Sequence, residues 1–319
     1  MFHEKSAKRE FQMNDRVREI PGHEDWAILW DTLCDTPEYR KISKTSDIQT
    51  CLQKKNLQPT PQQSYPMLVG PFGGDTLHSY GLGIWTKKAL QTQTAFDKAW
   101  GTLWNLLENM FFALTQLQEY DQTRMAHADI TVRNVLVKDS QTYLIDFGLA
   151  YLLSNTDYVK SHLEFLFQGT DRIYEAYPYD YYLYHGHQDT EALAKELQDV
   201  EKGVFREYHE EYRRVHELIL GERDVDGTLV DFMKSLRDTK PDVRLLMKSL
   251  DVYSVGMLLP TLLYDACQEH QVPWSDLQTF CLQSAHRQKF ELLGEMTRFS
   301  SQDRLTPSEA YTRYQELQD

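Results

Sequence analysis

The chain has 319 residues, enough for one two-lobed domain or two small ones with a sizeable core. Hydrophobic residues make up 41% and charged residues 26%; the formal charge of −14 at pH 7 argues against a general nucleic-acid binder, whose phosphate affinity needs clustered Lys and Arg. Four cysteines (Cys34, Cys51, Cys267, Cys281) stand far apart with no C-x-x-C pair, so they suggest neither a zinc site nor a disulfide framework and fit a reducing, cytoplasmic compartment.

In chain order, the first twenty residues read as a helix already under way: Met13, Val17 and Ile20 fall at i, i+4 and i+7, and Pro21-Gly22 ends the run. Residues 36–64, rich in Gln, Lys, Thr and Pro, read as connecting structure with room for one short helix. Tyr65 to Val69 is a short apolar run entering GPFGGDTL, a strand running into a Gly-rich turn. From about Thr94 to Glu119, Leu103, Leu106, Met110, Leu114 and Leu117 form one helical stripe that Trp100, Trp104 and Phe111 thicken; such a stripe is core.

Residues 127–148, HADITVRNVLVKDSQTYLIDFG, alternate loop, strand, turn, strand and loop. Asp129 stands two residues after His127 and five before Asn134, and Asp146-Phe147-Gly148 closes the stretch. Oxygen-bearing side chains at fixed spacing suit phosphoryl transfer, in which the protein positions a hydroxyl and holds Mg²⁺ on phosphates. An ordinary acidic turn would account for the last three residues alone but not for the joint pattern.

Beyond it, six tyrosines between Tyr174 and Tyr184 suggest a packed aromatic ledge. Residues 189–220 read as a long charged helix with Leu193, Leu197, Val200, Val204, Tyr208, Val215 and Ile219 on its apolar face and a break at Gly203. Val252 to Leu263 is the most apolar segment, too short to span a bilayer and interrupted by Pro260, and no membrane segment is expected. Near the end, Thr306, Pro307 and Glu309 have the N-cap, N1 and N3 residues of a capping box.

Several of these motifs carry a family resemblance. HADITVRN resembles the catalytic loop H-R-D-x-x-x-x-N of protein kinases, Asp146-Phe147-Gly148 their D-F-G, SLDVYSVG (249–256) their αF helix, and RLTPSEA (304–310) the R-x-[ST]-x-x-E-A entering their last helix. Small-molecule kinases share the H-x-D-x-x-x-x-N loop, but the other motifs favour protein kinases. The resemblance implies an α+β, two-lobed fold with a mostly helical C-lobe (residues 76–319, with an insertion at about 185–248) and an incomplete N-lobe (residues 1–75). It implies ATP and Mg²⁺ as cofactors and a protein substrate. Asp129 would accept the hydroxyl proton, and Asn134 and Asp146 would hold Mg²⁺. His127, Phe147 and Gly148 would be structural, Asp251 would bind the catalytic-loop backbone, and Arg304 would pair with Asp180 in the place of the A-P-E glutamate. The first helix would be αC, with Glu10 the best candidate for its lysine-pairing glutamate, ahead of Glu4 and Glu19; a solvated surface glutamate accounts for Glu10 equally well. Val69, Gly70, Pro71 and Phe72 would turn hinge backbone groups toward the adenine, although an ordinary Gly-Gly turn also fits.

The chain departs from the family where no G-x-G-x-x-G loop and no V-A-I-K-like strand come before the first helix. The preferred explanation is a start cut short, with Met1 an internal methionine; the alternative is a degenerate kinase. The small N-lobe and the insertion resemble kinases of large DNA viruses, which would put the protein in a virion or host cell. Thr131 stands where Ser/Thr kinases carry Lys and Arg133 where tyrosine kinases carry Arg, while Gly169-Thr170 resembles the G-T of Ser/Thr kinases; the balance leans to Ser/Thr. Ala128 replaces the Arg that clamps an activation-loop phosphate, so activity is expected to be independent of such a phosphate. The competing reading is a pseudokinase scaffold that binds a partner through residues 189–248.

Overall fold

The computed structural model describes residues 2–35, 38–42, 66–121, 124–155, 213–218, 243–283 and 285–318, together with positions 49, 60, 62, 64, 177, 178, 180 and 232. Over these residues the protein is α+β, mainly helical, with three small antiparallel sheets. Most of residues 189–220, Gly169-Thr170 and five of the six ledge tyrosines lie outside the described residues, apart from Tyr177 and a helical stretch at 213–218 in which Val215 is buried.

Helix α1 (Phe2–Arg18) packs its Val17 into the core and lies against the turn that follows Asp146. Gly22 ends the descent from it in a left-handed conformation (φ 73°) that a side chain would strain. The chain then runs beside strand β6 (Gln141–Leu144): the Leu144 amide donates to Trp26 O (2.8 Å) and the Ile28 amide to Leu144 O (3.0 Å). These bonds deliver strand β1 (Thr32–Asp35) to strand β2 (Pro66–Val69), with Thr32 opposite Val69 and Cys34 opposite Met67. Leu33 and Leu68 share the half-buried face; Met67 and Val69 on the other face are 39% and 43% exposed. Between the strands, the polar connection includes the short helix α2 (Tyr39–Ile42).

Gly74 (φ 95°) turns the chain so closely onto its neighbour that a Cβ there would lie 2.2 Å from Val137 O. The close approach lets β3 (Asp75–Thr76) pair with β5 (Val135–Lys138), which also pairs with β6. Thr76 then caps helix α3 (Leu77–Ile84) by accepting from the Ser79 amide at 3.1 Å.

The single helix expected over 94–119 is two: α4 (Gln93–Leu106) and α5 (Glu108–Glu119), divided at Leu107, whose amide bonds back to Trp104 O three residues earlier. The apolar stripe runs through the break because Leu103, Leu106, Leu107, Met110 and Leu114 are all buried, so hydrophobic period alone cannot register it. Trp100 stacks on Phe290 (4.1 Å between centroids) and Phe111 on Tyr314 (4.4 Å), tying these helices to α8 (Arg287–Met296) and α9 (Pro307–Glu316). Short strands β4 (Met125–Ala126) and β7 (Tyr151–Leu152) pair on either side of the hairpin.

Helix α6 (Val243–His270) runs through the middle of the helical part, and α7 (Trp274–Gln283) follows it. By length and hydropathy α6 could cross a bilayer, but 89% of its apolar window is buried within the protein, as in a core helix. At α9, Thr306 Oγ1 accepts from the Glu309 amide and Glu309 returns a carboxylate to the Thr306 amide, a complete capping box.

Candidate active site

The loop from His127 to Asn134 is held from below by one carboxylate. Asp251, fully buried on α6, accepts from the His127 amide (2.7 Å) and the Ala128 amide (2.9 Å). Burial pushes its carboxyl up to about 6; the two amide bonds and the nearby Gln118 side chain pull it back down. Ala128 adopts a left-handed backbone (φ 62°), a conformation costly for a residue with a Cβ, and its carbonyl accepts from the Tyr177 hydroxyl at 2.8 Å.

His127 is the second fastener. Its Nε2 donates to Ile145 O (2.9 Å), its Nδ1 accepts from the Asp129 amide (3.2 Å), and its ring lies 4.6 Å from that of Phe147. Burial lowers its pKa to about 4, so it is the neutral Nε2–H tautomer that ties the Asp129 backbone to the strand leading to Asp146.

Asn134 then fixes Asp129 directly: its Nδ2 donates to Asp129 O (2.9 Å) and to Asp129 Oδ2 (2.8 Å). The Ile145 amide donates to Asn134 O at 3.0 Å, which brings Asn134 beside Asp146. Asp146 is itself left-handed (φ 62°, ψ 69°), and its Oδ1 accepts from the Gly148 amide at 3.2 Å. Asn134 Oδ1 and Asp146 Oδ2 accept no hydrogen bond from the described residues.

These two unused oxygens are hard donors that suit Mg²⁺, which takes one or two protein oxygens and completes its shell with phosphate and water. Among the described residues no group of three His, Cys, Asp or Glu side chains could hold a metal unaided.

Above the hairpin, Glu10 faces the same region: a Cβ on Gly148 would lie 3.6 Å from its Oε2. Burial raises its carboxyl above the usual range, the hydrogen bond from Trp30 Nε1 lowers it, and the charge of Asp146 raises it again. Glu10 is thus turned inward, whereas Glu19 pairs with Arg16 on the surface and the Glu4 side chain lies outside the described residues. Arg9 secures the helix by donating to Ala150 O at 2.7 Å.

Val69 O accepts from the Asp31 amide (2.7 Å), so part of its backbone already serves the sheet, and Phe72 at the end of this stretch is 81% exposed. Gly70 lies on Trp30, where a Cβ would stand 3.1 Å from Cε3. Apart from the loop, in the helical part, Arg304 and Asp180 form a buried ion pair (2.6 Å); Asp180 also accepts from the Ser301 amide (2.7 Å), and Arg304 also donates to Ser249 Oγ, Arg298 O and Phe299 O.

The structure therefore gathers His127, Asp129, Asn134, Asp146, Phe147, Gly148 and Glu10 around one region, with Asp251 beneath it and the Asp180–Arg304 pair set apart in the helical part. Residues that spacing did not single out are Trp30, Asn14, Gln118 and Tyr177, each of which acts on the site through a partner distant in sequence. Compared with models of protein families and with characterised proteins, the chain matches none.

Proposed function

We propose that this protein is a protein kinase-type phosphotransferase, with residues 1–75 forming the smaller lobe and 76–319 the larger one, acting on Ser or Thr of a protein substrate. The observation that carries this reading is the Asp129–Asn134 pair, a carboxylate held at 2.8 Å by an amide Nδ2 whose companion Oδ1 stays unused beside Asp146. Hydroxyl substrates need such an oriented carboxylate.

Bound Mg²⁺·ATP would supply the transferable phosphoryl group and the charge to neutralise its oxygens. The chain's part is positional. Asp129 takes the proton of the substrate hydroxyl, Asn134 keeps the Asp129 carboxylate turned to it, and Asn134 Oδ1 with Asp146 Oδ2 would hold the metal. His127 and Asp251 hold the loop rigid, so the geometry is set before substrate arrives.

A second reading, a scaffold that keeps the fold without turnover and binds a partner through residues 189–248, draws support from Glu10, whose carboxylate meets an indole N–H. Phosphate transfer from Mg²⁺·ATP to a mixture of Ser, Thr and Tyr peptides distinguishes the two. Turnover that Asp129→Asn lowers by about 100-fold or more supports the kinase; turnover no higher than in that variant leaves the scaffold.

A further inference from the structure

The region bounded by Gly70 on one side and Gly148 on the other contains one feature that the phosphoryl-transfer residues do not use. Trp30 is held at three points: its backbone amide donates to Asn14 Oδ1 (2.9 Å), its carbonyl accepts from the Arg18 guanidinium, and its indole Nε1 donates to Glu10 Oε1. Asn14 is itself fixed, donating to Glu10 O at 2.8 Å. The six-membered ring rests on the Gly70 backbone, where a side chain would already crowd Cε3 at 3.1 Å. On its other side Glu10 reaches Gly148, where a Cβ would lie 3.6 Å from Oε2.

Trp30 and Glu10 thus make a continuous wall from the Gly-rich turn after β2 to the turn after Asp146. The ring is half-buried, unlike Trp26, Trp85, Trp100 and Trp104, which are fully enclosed in the core. A partly open indole pinned by its polar edge and its backbone loses little entropy when a flat ligand packs on it.

We propose that Trp30 is a base-contacting residue, its indole forming the back wall against which the purine of a nucleoside di- or triphosphate packs. This rests on the nucleotide-dependent reading above and adds to it the residue that receives the base. It also gives Glu10 a neutral donor, so that the carboxylate is oriented without a cation.

The test uses the whole chain and Mg²⁺·ADP as probe, with binding measured by calorimetry and by tryptophan fluorescence. The chain has six tryptophans, so the contribution of Trp30 is isolated by difference. In Trp30→Phe the nucleotide-induced fluorescence change is expected to vanish while binding persists within about threefold; Trp30→Ala, which loses the stacking face, weakens binding by about tenfold or more. If either variant fails to melt cooperatively, Gly70→Ala replaces it, because the added methyl displaces the ring by a few tenths of an ångström and is expected to alter both affinity and fluorescence response. An undiminished fluorescence change in Trp30→Phe, unaltered affinity in Trp30→Ala, or a Gly70→Ala chain indistinguishable from wild type overturns the assignment of Trp30 and leaves the kinase reading intact. Absence of any ADP or ATP binding by the wild-type chain overturns the nucleotide reading, and the role of Trp30 falls with it.

Discussion

Replacing Asp251 with Asn separates the cost of burying a carboxylate from its use as an anchor. In the folded protein the carboxyl is pushed up to about 6 from 3.8, and a displacement of about 2 units corresponds to roughly 3 kcal/mol against the charged form at pH 7. Asn escapes that cost. It keeps one oxygen for an amide but turns an NH₂ group toward the other, and losing one charge-assisted bond while orphaning its donor costs about 2–4 kcal/mol. The two nearly cancel, so Asp251→Asn is expected to unfold within about 1 kcal/mol of wild type at pH 7, whereas Asp251→Ala, with both amides unpaired, falls about 2 kcal/mol lower still. The sign with pH is the sharper test. A raised folded pKa contributes stability that is full below the unfolded value and is lost as pH rises through 6, which removes about 1 kcal/mol from wild type between pH 5 and 7. Asn lacks this loss and should compare more favourably with wild type at pH 7 than at pH 5. Urea unfolding of both chains at the two pH values measures it; a difference that is equal at both, or that grows toward pH 7, refutes the reasoning. Phosphate transfer by Asp251→Asn should nevertheless drop at least tenfold, because the loop that carries Asp129 loses one of its two ties.

Other expectations follow from the same contacts. His127 and His216 are held by burial at about 4 and about 3, so each contributes stability present above the unfolded value near 6.5 and lost as pH falls below it. Between pH 7 and 5 they withdraw about 2 kcal/mol each against about 1 returned by Asp251, so a thermal melt that rises on acidification would contradict their burial in neutral form. Arg304→Met alone should cost about 3–5 kcal/mol by stranding Asp180, and much of this should return in the double variant Arg304→Met/Asp180→Leu, as read by urea midpoints. Gly74→Ala meets Val137 O at 2.2 Å with a strained backbone and should destabilise by at least about 2 kcal/mol in the same assay. Phosphatase treatment should leave turnover unchanged, since Ala128 is fully buried and its carbonyl is taken by Tyr177; a large loss traced to a phosphate between residues 149 and 177 would refute this.

What could be read from the sequence was what depends on short separations. The Asp129–Asn134 contact spans five residues and the hairpin from Val135 to Leu144 spans ten, so spacing and alternation encode them directly. The capping box at Thr306 is local in the same way. The break at Leu107 was hidden because the residues on both sides stay buried, leaving the apolar stripe unbroken. Trp30 was hidden for a different reason: its partners Glu10 and Asn14 lie on α1 and Gly70 follows β2, and nothing in the residues around Trp30 announces which carboxylate its indole will meet. Glu10 could be ranked above Glu4 and Glu19 but not turned inward until α1 was docked against the turn after Asp146.

The anchoring of the loop also sets an order of events. The Asp251 carboxylate and the His127 amide are 124 residues apart, and so are Asp180 and Arg304. Neither tie can close until α6 and the segment before α9 have left the ribosome, which at about 5–20 residues per second comes many seconds after Asp129 itself emerges. The nascent chain therefore carries the Asp129 carboxylate on an unfastened loop until Asp251 has emerged, and that loop is fastened only when α6 folds beneath it.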